Sequence, residues 1–236
     1  MSYAHYPELA ALVAFPGPGL AGRGRALLES LRDLCPEAAR EVEQFLDQIP
    51  PATLDQQELH TRTFDVQALT TLDVGYVLFG DDYKRGALLS QLSQEHRRAN
   101  NDCGGELADH LPNLLRLIPK IEDRELLGEL VEQIMVPALM LMIREFDPQR
   151  IELKNTNYRK HFKTLIDQAQ GGDAAVYCRA LKAVLQVLER DFELAGTVAR
   201  LSAAGSRRQT VEFLRLVERE MDIERDANPA NSGCDA

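Results

Sequence analysis

The sequence predicts an all-α protein, folded as a single helical-bundle domain of about nine or ten helices. Apolar residues recur at helical spacing along nearly the whole chain, whereas the alternating runs typical of strands are scarce. Hydrophobic residues make up 44% of the 236 residues, which is enough for a substantial core. No internal repeat or interdomain linker interrupts the pattern. We therefore predict one domain over residues 1–222 and a disordered tail over residues 223–236.

Turn signals divide the N-terminal half of this pattern. Breaks are expected at residues 16–19, at Pro50-Pro51 and at Gly80, where a left-handed cap would end a helix. The predicted helical segments between these breaks are residues 23–35, residues 36–49, residues 53–64, a helix carrying the stripe Leu69, Leu72, Tyr76 and Phe79, and a helix that begins at Asp81 or Asp82.

Loop and helix signals also divide the C-terminal half of the chain. Residues 100–105 form a loop by composition, and apolar residues at Leu111 and Ile118 mark the next helix. A long helix over residues 123–146 is expected to kink at Pro137. Two further helices, over residues 173–202 and 206–222, are separated by a break at Gly205.

Composition excludes several classes of protein. The formal charge is −10, from 27 basic and 37 acidic residues, which disfavours a nucleic-acid binder and favours a basic partner, unless the charge serves solubility alone. The four cysteines form no C-x-x-C pair, as expected of reduced thiols in a cytoplasmic protein. The N-terminus lacks the basic region of a signal peptide, and the apolar segment 134–143 is about half the length needed to span a bilayer.

The segment ELADHLPNLLRLI, which begins at Glu106, places an acid, a histidine and a proline together. Asp109 and His110 are adjacent on a helix and project about 100° apart, so they do not suit a catalytic dyad. Asp109 instead suits a helix N-cap that accepts the Leu111 N–H, with Pro112 in the first turn. We therefore predict no catalytic residue here.

A metal site is the next alternative, because Glu95, His96, Cys103 and His110 fall within sixteen residues. Their spacing matches none of the usual zinc or di-iron arrangements. We predict no metal and no cofactor.

A binding surface remains. Between residues 63 and 86, aromatic side chains alternate with Asp65, Asp73, Asp81 and Asp82. Apolar anchors with an acidic rim suit a basic amphipathic helix, although the same residues also suit an aromatic core with acidic helix caps.

Three segments resemble the TorD/DmsD/NarJ family of molybdoenzyme maturation chaperones, and its NarJ branch in particular. They are HTRTFDV from His60, LFGDDYKRGALLSQL from Leu78 and ELADHLPNLLRLI from Glu106. Members typically read Glu-Leu-Pro-Asp-His/Tyr-Leu-Pro in the third segment, where this chain differs only at Ala108. In the second segment, Gly80, Asp81, Arg85 and Gly86 match the pattern of the family.

This resemblance implies a cytoplasmic chaperone without enzymatic activity. Such a protein binds the N-terminal segment of the apo-catalytic subunit of a molybdopterin oxidoreductase, such as a nitrate reductase. It assists cofactor insertion and complex assembly before membrane docking or export. The residues that it would place at the peptide site are Phe64, Asp65, Tyr76, Arg85, Gly86, Asp109, His110, Leu111 and Pro112.

Two further questions stay open at this point. The alternative function is a non-catalytic accessory subunit that is retained in a mature oxidoreductase complex. A homodimer is also compatible with a domain of long helices.

Overall fold

A computed structural model describes residues 3–161, 176–194 and Gly196 of the chain. Within these ranges the secondary structure is helical, and β-type pairing is limited to an isolated bridge between Asp73 and His110. The all-α prediction is confirmed for this part of the chain. The helix predicted over residues 206–222 and the predicted tail lie outside the described residues.

Eleven α-helices follow one another along the described residues. Their bounds are α1 Tyr6–Val13, α2 Leu20–Leu34, α3 Pro36–Gln48, α4 Thr53–Phe64, α5 Val74–Phe79, α6 Tyr83–Arg98, α7 Leu111–Leu117, α8 Arg124–Glu129, α9 Val136–Arg144, α10 Pro148–His161 and α11 Val176–Asp191. Helix α11 packs against α3 and α9, and α1 packs against α2, α7 and α11. Buried side chains from α1 to α11 form one continuous hydrophobic core.

Helix α1 is a central element that the sequence analysis did not assign. Pro7 occupies its first turn, where a missing N–H does no harm. Tyr6, Leu9, Leu12 and Val13 are all fully buried. The N-terminal segment is therefore part of the core, and it supports α7, the helix that follows the Asp109-His110 motif.

Helices α2 to α4 lie close to their predicted positions. Helix α2 begins three residues earlier than predicted because Gly19, with φ +87°, supplies a left-handed residue just before Leu20. Helix α3 begins at Pro36 as predicted, and its last residue is Gln48. The segment predicted over residues 53–64 is α4.

Helix α5 differs from the prediction. It is a helix of only six residues that begins at Val74, so the predicted stripe does not form along one helix. Leu69 and Leu72 are buried from the preceding loop, whereas Tyr76 is 44% exposed. Gly80, with φ +63°, ends α5 as predicted, and the Asp82 carboxylate caps α6 by accepting the Lys84 N–H at 3.0 Å.

Helices α8 and α9 form one continuous helix from Arg124 to Arg144, joined by a π-helical segment, Leu130–Met135. The Asp123 carboxylate caps its start, and the π-helical segment ends at Met135, two residues before Pro137. The kink expected at Pro137 stays a prediction. By length and composition this helix is apolar enough to cross a membrane, unlike the shorter segment considered from sequence. A buried core helix meets the same criteria, and 56% of its most apolar window is buried here.

Helix α11 ends earlier than predicted. The sequence pattern suggested a helix to residue 202, but α11 ends at Asp191. Glu193 adopts a positive φ of 57°, and the Leu194 N–H donates to the Glu189 carbonyl at 2.8 Å. This left-handed residue closes the helix in the manner usually associated with glycine.

Candidate functional site

The isolated bridge joins the third family-like segment, through His110, to Asp73, which lies just before the second segment. The Val74 N–H donates to the Asp109 carbonyl at 3.0 Å, and the Leu111 N–H donates to the Leu72 carbonyl at 2.9 Å. These bonds hold the start of α5 against the start of α7. The bridge therefore places residues from two distant parts of the sequence beside one another.

The Asp109 carboxylate lies at the centre of this junction and is fully buried. Its Oδ2 atom accepts the Gly75 N–H and the Arg85 Nε–H, each at 3.1 Å. The other oxygen, Oδ1, has no hydrogen-bond partner among the described residues. Burial raises the pKa of this carboxyl group, although the hydrogen bond from Arg85 opposes the shift.

The structure corrects the predicted role of Asp109 as a helix cap. The Leu111 N–H, which Asp109 was expected to bind, is already bound to Leu72 in the bridge. His110 occupies the cap position of α7, and its side chain makes no capping hydrogen bond. Pro112 does lie in the first turn, as predicted. Asp109 instead connects α5, α6 and α7.

Gly75 permits this close approach. A Cβ atom at this position would lie 2.7 Å from Asp109 Oδ2 and 3.2 Å from a methyl group of Leu88. Contacts this short do not occur without displacement of a neighbour. Glycine is therefore required where α5 passes over the carboxylate.

Arg85 links the buried carboxylate to the surface. Its Nη2 atom donates to Asp73 Oδ2 at 2.9 Å, and its guanidinium lies 5.2 Å from the centre of the Tyr76 ring, within range of a cation–π contact. Asp73 Oδ1 is 3.1 Å from His110 Nδ1, and Glu106 lies 4.0 Å from the same nitrogen. The hydrogen bond from His110 is the main reason that the pKa of Asp73 is lowered.

The predicted peptide-binding residues fall into two groups by exposure. Four of them are buried, and these are Phe64, Asp109, Leu111 and Pro112. Five reach the surface to some extent, and these are Asp65, Tyr76, Arg85, Gly86 and His110. The buried group shapes the structure, and only residues of the second group are exposed enough to contact a partner.

An exposed surface overlies the network. We define the Tyr76 face as Tyr76, Arg85, Glu106, Leu107 and His110. The ion pairs and the cation–π contact described above connect four of these residues, and Leu107 is joined to them because its carbonyl accepts the His110 N–H at 3.1 Å. Tyr76 is 44% exposed and Leu107 is 48% exposed, so both offer apolar area at the surface. The Glu106 carboxylate adds a negative charge at the edge.

The first family-like segment packs elsewhere. The Phe64 ring lies 4.9 Å from the His60 ring and 5.1 Å from the Tyr177 ring of α11. His60 Nε2 contacts the Val13 carbonyl at 3.1 Å. These contacts secure α4 to α1 and α11, so Phe64 serves the core.

His96, which was considered as a metal ligand, is a buried structural residue. Its Nδ1 atom accepts the Asn101 side-chain N–H at 2.9 Å, so its Nε2–H donates to the Ala108 carbonyl at 3.0 Å. This pair of bonds defines a neutral imidazole, and burial lowers the pKa of His96 accordingly. Among the described residues, no group of three or more His, Cys, Asp or Glu side chains is placed to hold a metal ion.

Two asparagines that the sequence analysis did not single out hold the loop before α7. Asn101 donates to the Asn113 carbonyl at 3.1 Å, and the Asn113 side chain donates to the Leu107 carbonyl at 2.9 Å. Asn113 is fully buried. The sequence signal that could have indicated a structural role for Asn113 is its position directly after Pro112 in the third family-like segment. These bonds fix the backbone from which Leu107 projects.

Comparison with protein-family models, with curated proteins and with solved structures finds no match for this chain. The fold and the site together define an all-α protein in which a half-buried charge network supports an exposed aromatic and acidic surface.

Proposed function

We propose that the protein is a system-specific cytoplasmic chaperone of the TorD/DmsD/NarJ type. Its partner is the apo-catalytic subunit of a molybdopterin oxidoreductase of the nitrate-reductase kind, which it binds through the N-terminal segment. Binding assists cofactor insertion and complex assembly before membrane docking or export. The protein itself performs no catalysis in this proposal.

One observation carries the proposal. Arg85 belongs to the second family-like segment and Asp109 to the third, and their side chains are joined at 3.1 Å across 24 positions of sequence. Residues that carry a resemblance to one family are thus part of one structural unit. The resemblance itself rests on the three motif segments.

The Tyr76 face has the chemistry for a basic amphipathic peptide. Tyr76 and Leu107 offer apolar area, whose burial supplies affinity, and Glu106 offers a negative charge at the edge. Asp81 and Asp82, which are exposed between α5 and α6, extend the acidic surroundings. A protein of formal charge −10 also attracts a basic segment over longer distances.

Burial changes which residues are assigned to binding. Asp109, Leu111 and Pro112 were expected to line the site, but their burial gives them a supporting role in this proposal. Tyr76, Leu107 and His110 are the residues proposed to contact the peptide. Leu107 was not among the residues predicted from sequence, although it lies inside the third segment.

Site-specific photocrosslinking tests the proposal directly. A photoreactive phenylalanine analogue replaces Tyr76 in the full chain, which is expressed in its native host under conditions that induce molybdoenzymes. The matched control carries the analogue at Leu54, which is 74% exposed at the start of α4. Mass spectrometry then identifies the crosslinked peptides.

The expected result is a crosslink from position 76, absent from position 54, to the N-terminal segment of a molybdopterin-dependent catalytic subunit that lacks its cofactor. Crosslinks to unrelated proteins, or equal crosslinking from both positions, would refute the proposal. Crosslinks only to the cofactor-loaded enzyme in a stable complex would refute the chaperone role and support an accessory subunit.

A further inference from the structure

A pocket of about 590 Å³ lies between the start of α1, the middle of α2 and the end of α11. This volume falls within the range of about 300–1,000 Å³ that is typical of small-molecule sites. Its walls are Ala4, His5, Glu8, Ala26, Leu27, Ser30, Leu34, Arg190 and Asp191. None of these residues takes part in the Tyr76 face.

One end of the pocket is built around a buried carboxylate. Asp191 Oδ2 lies 2.8 Å from His5 Nε2, and Asp191 Oδ1 accepts an N–H of Arg190 at 2.6 Å. The side chains of His5 and Asp191 are only 7% and 6% exposed, whereas that of Arg190 is 42% exposed. The histidine and the aspartate are therefore fixed, and the guanidinium reaches the opening.

Hydrogen-bond donors outnumber acceptors at this end. Among the described residues, the Arg190 guanidinium, which has five N–H donors, makes one hydrogen bond, to Asp191. The negative charge of Asp191 is already matched by this guanidinium. Glu8, the other acid in the wall, is paired with Arg23 at 2.9 Å. An anionic group therefore meets donors here and little uncompensated negative charge.

Part of the pocket wall is apolar. This part consists of Ala26, Leu27 and Leu34, which belong to α2, and of Ala4, which precedes His5 in the chain. Leu34 is 41% exposed at the rim. A ligand that combines an anionic head with a short hydrocarbon chain would match the polar and the apolar parts of the wall, because burial of its chain gains free energy in proportion to area.

We propose that this pocket binds a small organic carboxylate with a short apolar chain. The carboxylate is held by Arg190 beside the His5–Asp191 pair, and the chain lies against Leu27 and Leu34. This site is independent of the proposed peptide-binding function, so the failure of either proposal leaves the other unaffected.

Titration of the isotope-labelled full chain with sodium hexanoate tests the proposal. Hexan-1-ol serves as the neutral ligand of the same carbon number. We expect saturable shifts of the backbone amide resonances of residues that line the pocket, such as Glu8 and Ser30, with weaker binding of the alcohol. Replacement of Arg190 by glutamine should weaken hexanoate binding by about tenfold or more, since a hydrogen bond to a charged group is lost.

Two further variants make the test specific. Leu34→Glu adds a negative charge at the rim, where the side chain is 41% exposed, and should weaken hexanoate binding more than hexanol binding. Arg32→Gln, on the same helix but outside the pocket and paired with Glu29, is the control and should change neither. Absence of the expected shifts, equal binding of the alcohol, or unchanged hexanoate affinity in Leu34→Glu would overturn the proposal.

Discussion

Substitution of Gly75 by alanine tests whether α5 must pass directly over the Asp109 carboxylate. The added Cβ would lie 2.7 Å from Asp109 Oδ2, and ordinary contact begins at 3.4 Å, so the oxygen must retreat by about 0.7 Å. Its two hydrogen bonds, to Gly75 and Arg85, are already 3.1 Å long. A retreat of this size would break or severely weaken both of them.

The expected cost follows from these two bonds. Both bonds have the Asp109 carboxylate as acceptor, and a hydrogen bond to a charged group contributes about 1.5–3 kcal/mol, so the two together contribute about 3 kcal/mol at the lower limit. The helical preference of alanine over glycine returns about 1 kcal/mol. We therefore expect Gly75→Ala to lower the free energy of unfolding by about 2 kcal/mol.

Gly86→Ala is the matched control for this substitution. Gly86 lies inside α6, is exposed, and has no atom within 4 Å of an added Cβ. The same chemical change there should raise the free energy of unfolding by about 0.5–1 kcal/mol. Urea unfolding followed by far-UV circular dichroism measures both variants, which are expected to change stability in opposite directions.

A double variant isolates the cause. When Asp109 is replaced by alanine, the obstructing oxygen is gone, and a further Gly75→Ala change should cost little or nothing. If Gly75→Ala leaves the stability unchanged in the otherwise natural chain, or costs the same with and without Asp109, the assigned role of the carboxylate is wrong.

Three other predictions concern the same network. Asp109→Ala should lower the free energy of unfolding by about 3 kcal/mol, because it leaves the buried Gly75 N–H unpaired and removes an ion pair. Asp73→Ala changes a partly exposed site and should lower the free energy of unfolding by only about 1 kcal/mol in the same urea titration. The lowered pKa of Asp73 means that its stabilisation is present above about pH 3.9 and is lost as the pH falls through its folded pKa, so Asp73→Asn should lose less stability than the natural chain on acidification. Calorimetric affinity for the crosslinked client peptide should fall with added salt and should fall further in Tyr76→Ala, while the urea midpoint of that variant stays close to that of the natural chain.

Local sequence signals predicted much of the fold. Pro36 marked the start of α3, Asp82 and Asp123 marked the starts of α6 and α8, and Gly80 marked the end of α5. These signals succeed because a cap or a turn is decided by atoms within a few residues. The end of α11 was missed because Glu193, and no glycine, adopts the left-handed conformation there.

The role of Asp109 could not be predicted in the same way. Its partners, Gly75 and Arg85, lie 34 and 24 positions away in sequence. The local rule expected the carboxylate to accept the Leu111 N–H, which a long-range bridge to Leu72 had already satisfied. The position of Tyr76 was also predicted wrongly. The predicted apolar stripe from Leu69 to Phe79 requires one helix over all of these residues, whereas α5 begins only at Val74.

The contrast between Asp109 and Tyr76 decides how the proposed function can be tested. A variant that replaces both Asp109 and His110 would weaken peptide binding whether or not either side chain touches the peptide, because loss of the buried carboxylate disturbs the backbone beneath the Tyr76 face. Loss of Tyr76 removes exposed area and leaves the bridge intact. Only a substitution of an exposed residue can show whether the surface itself recognises a partner, because it changes the contact area and leaves the buried support intact.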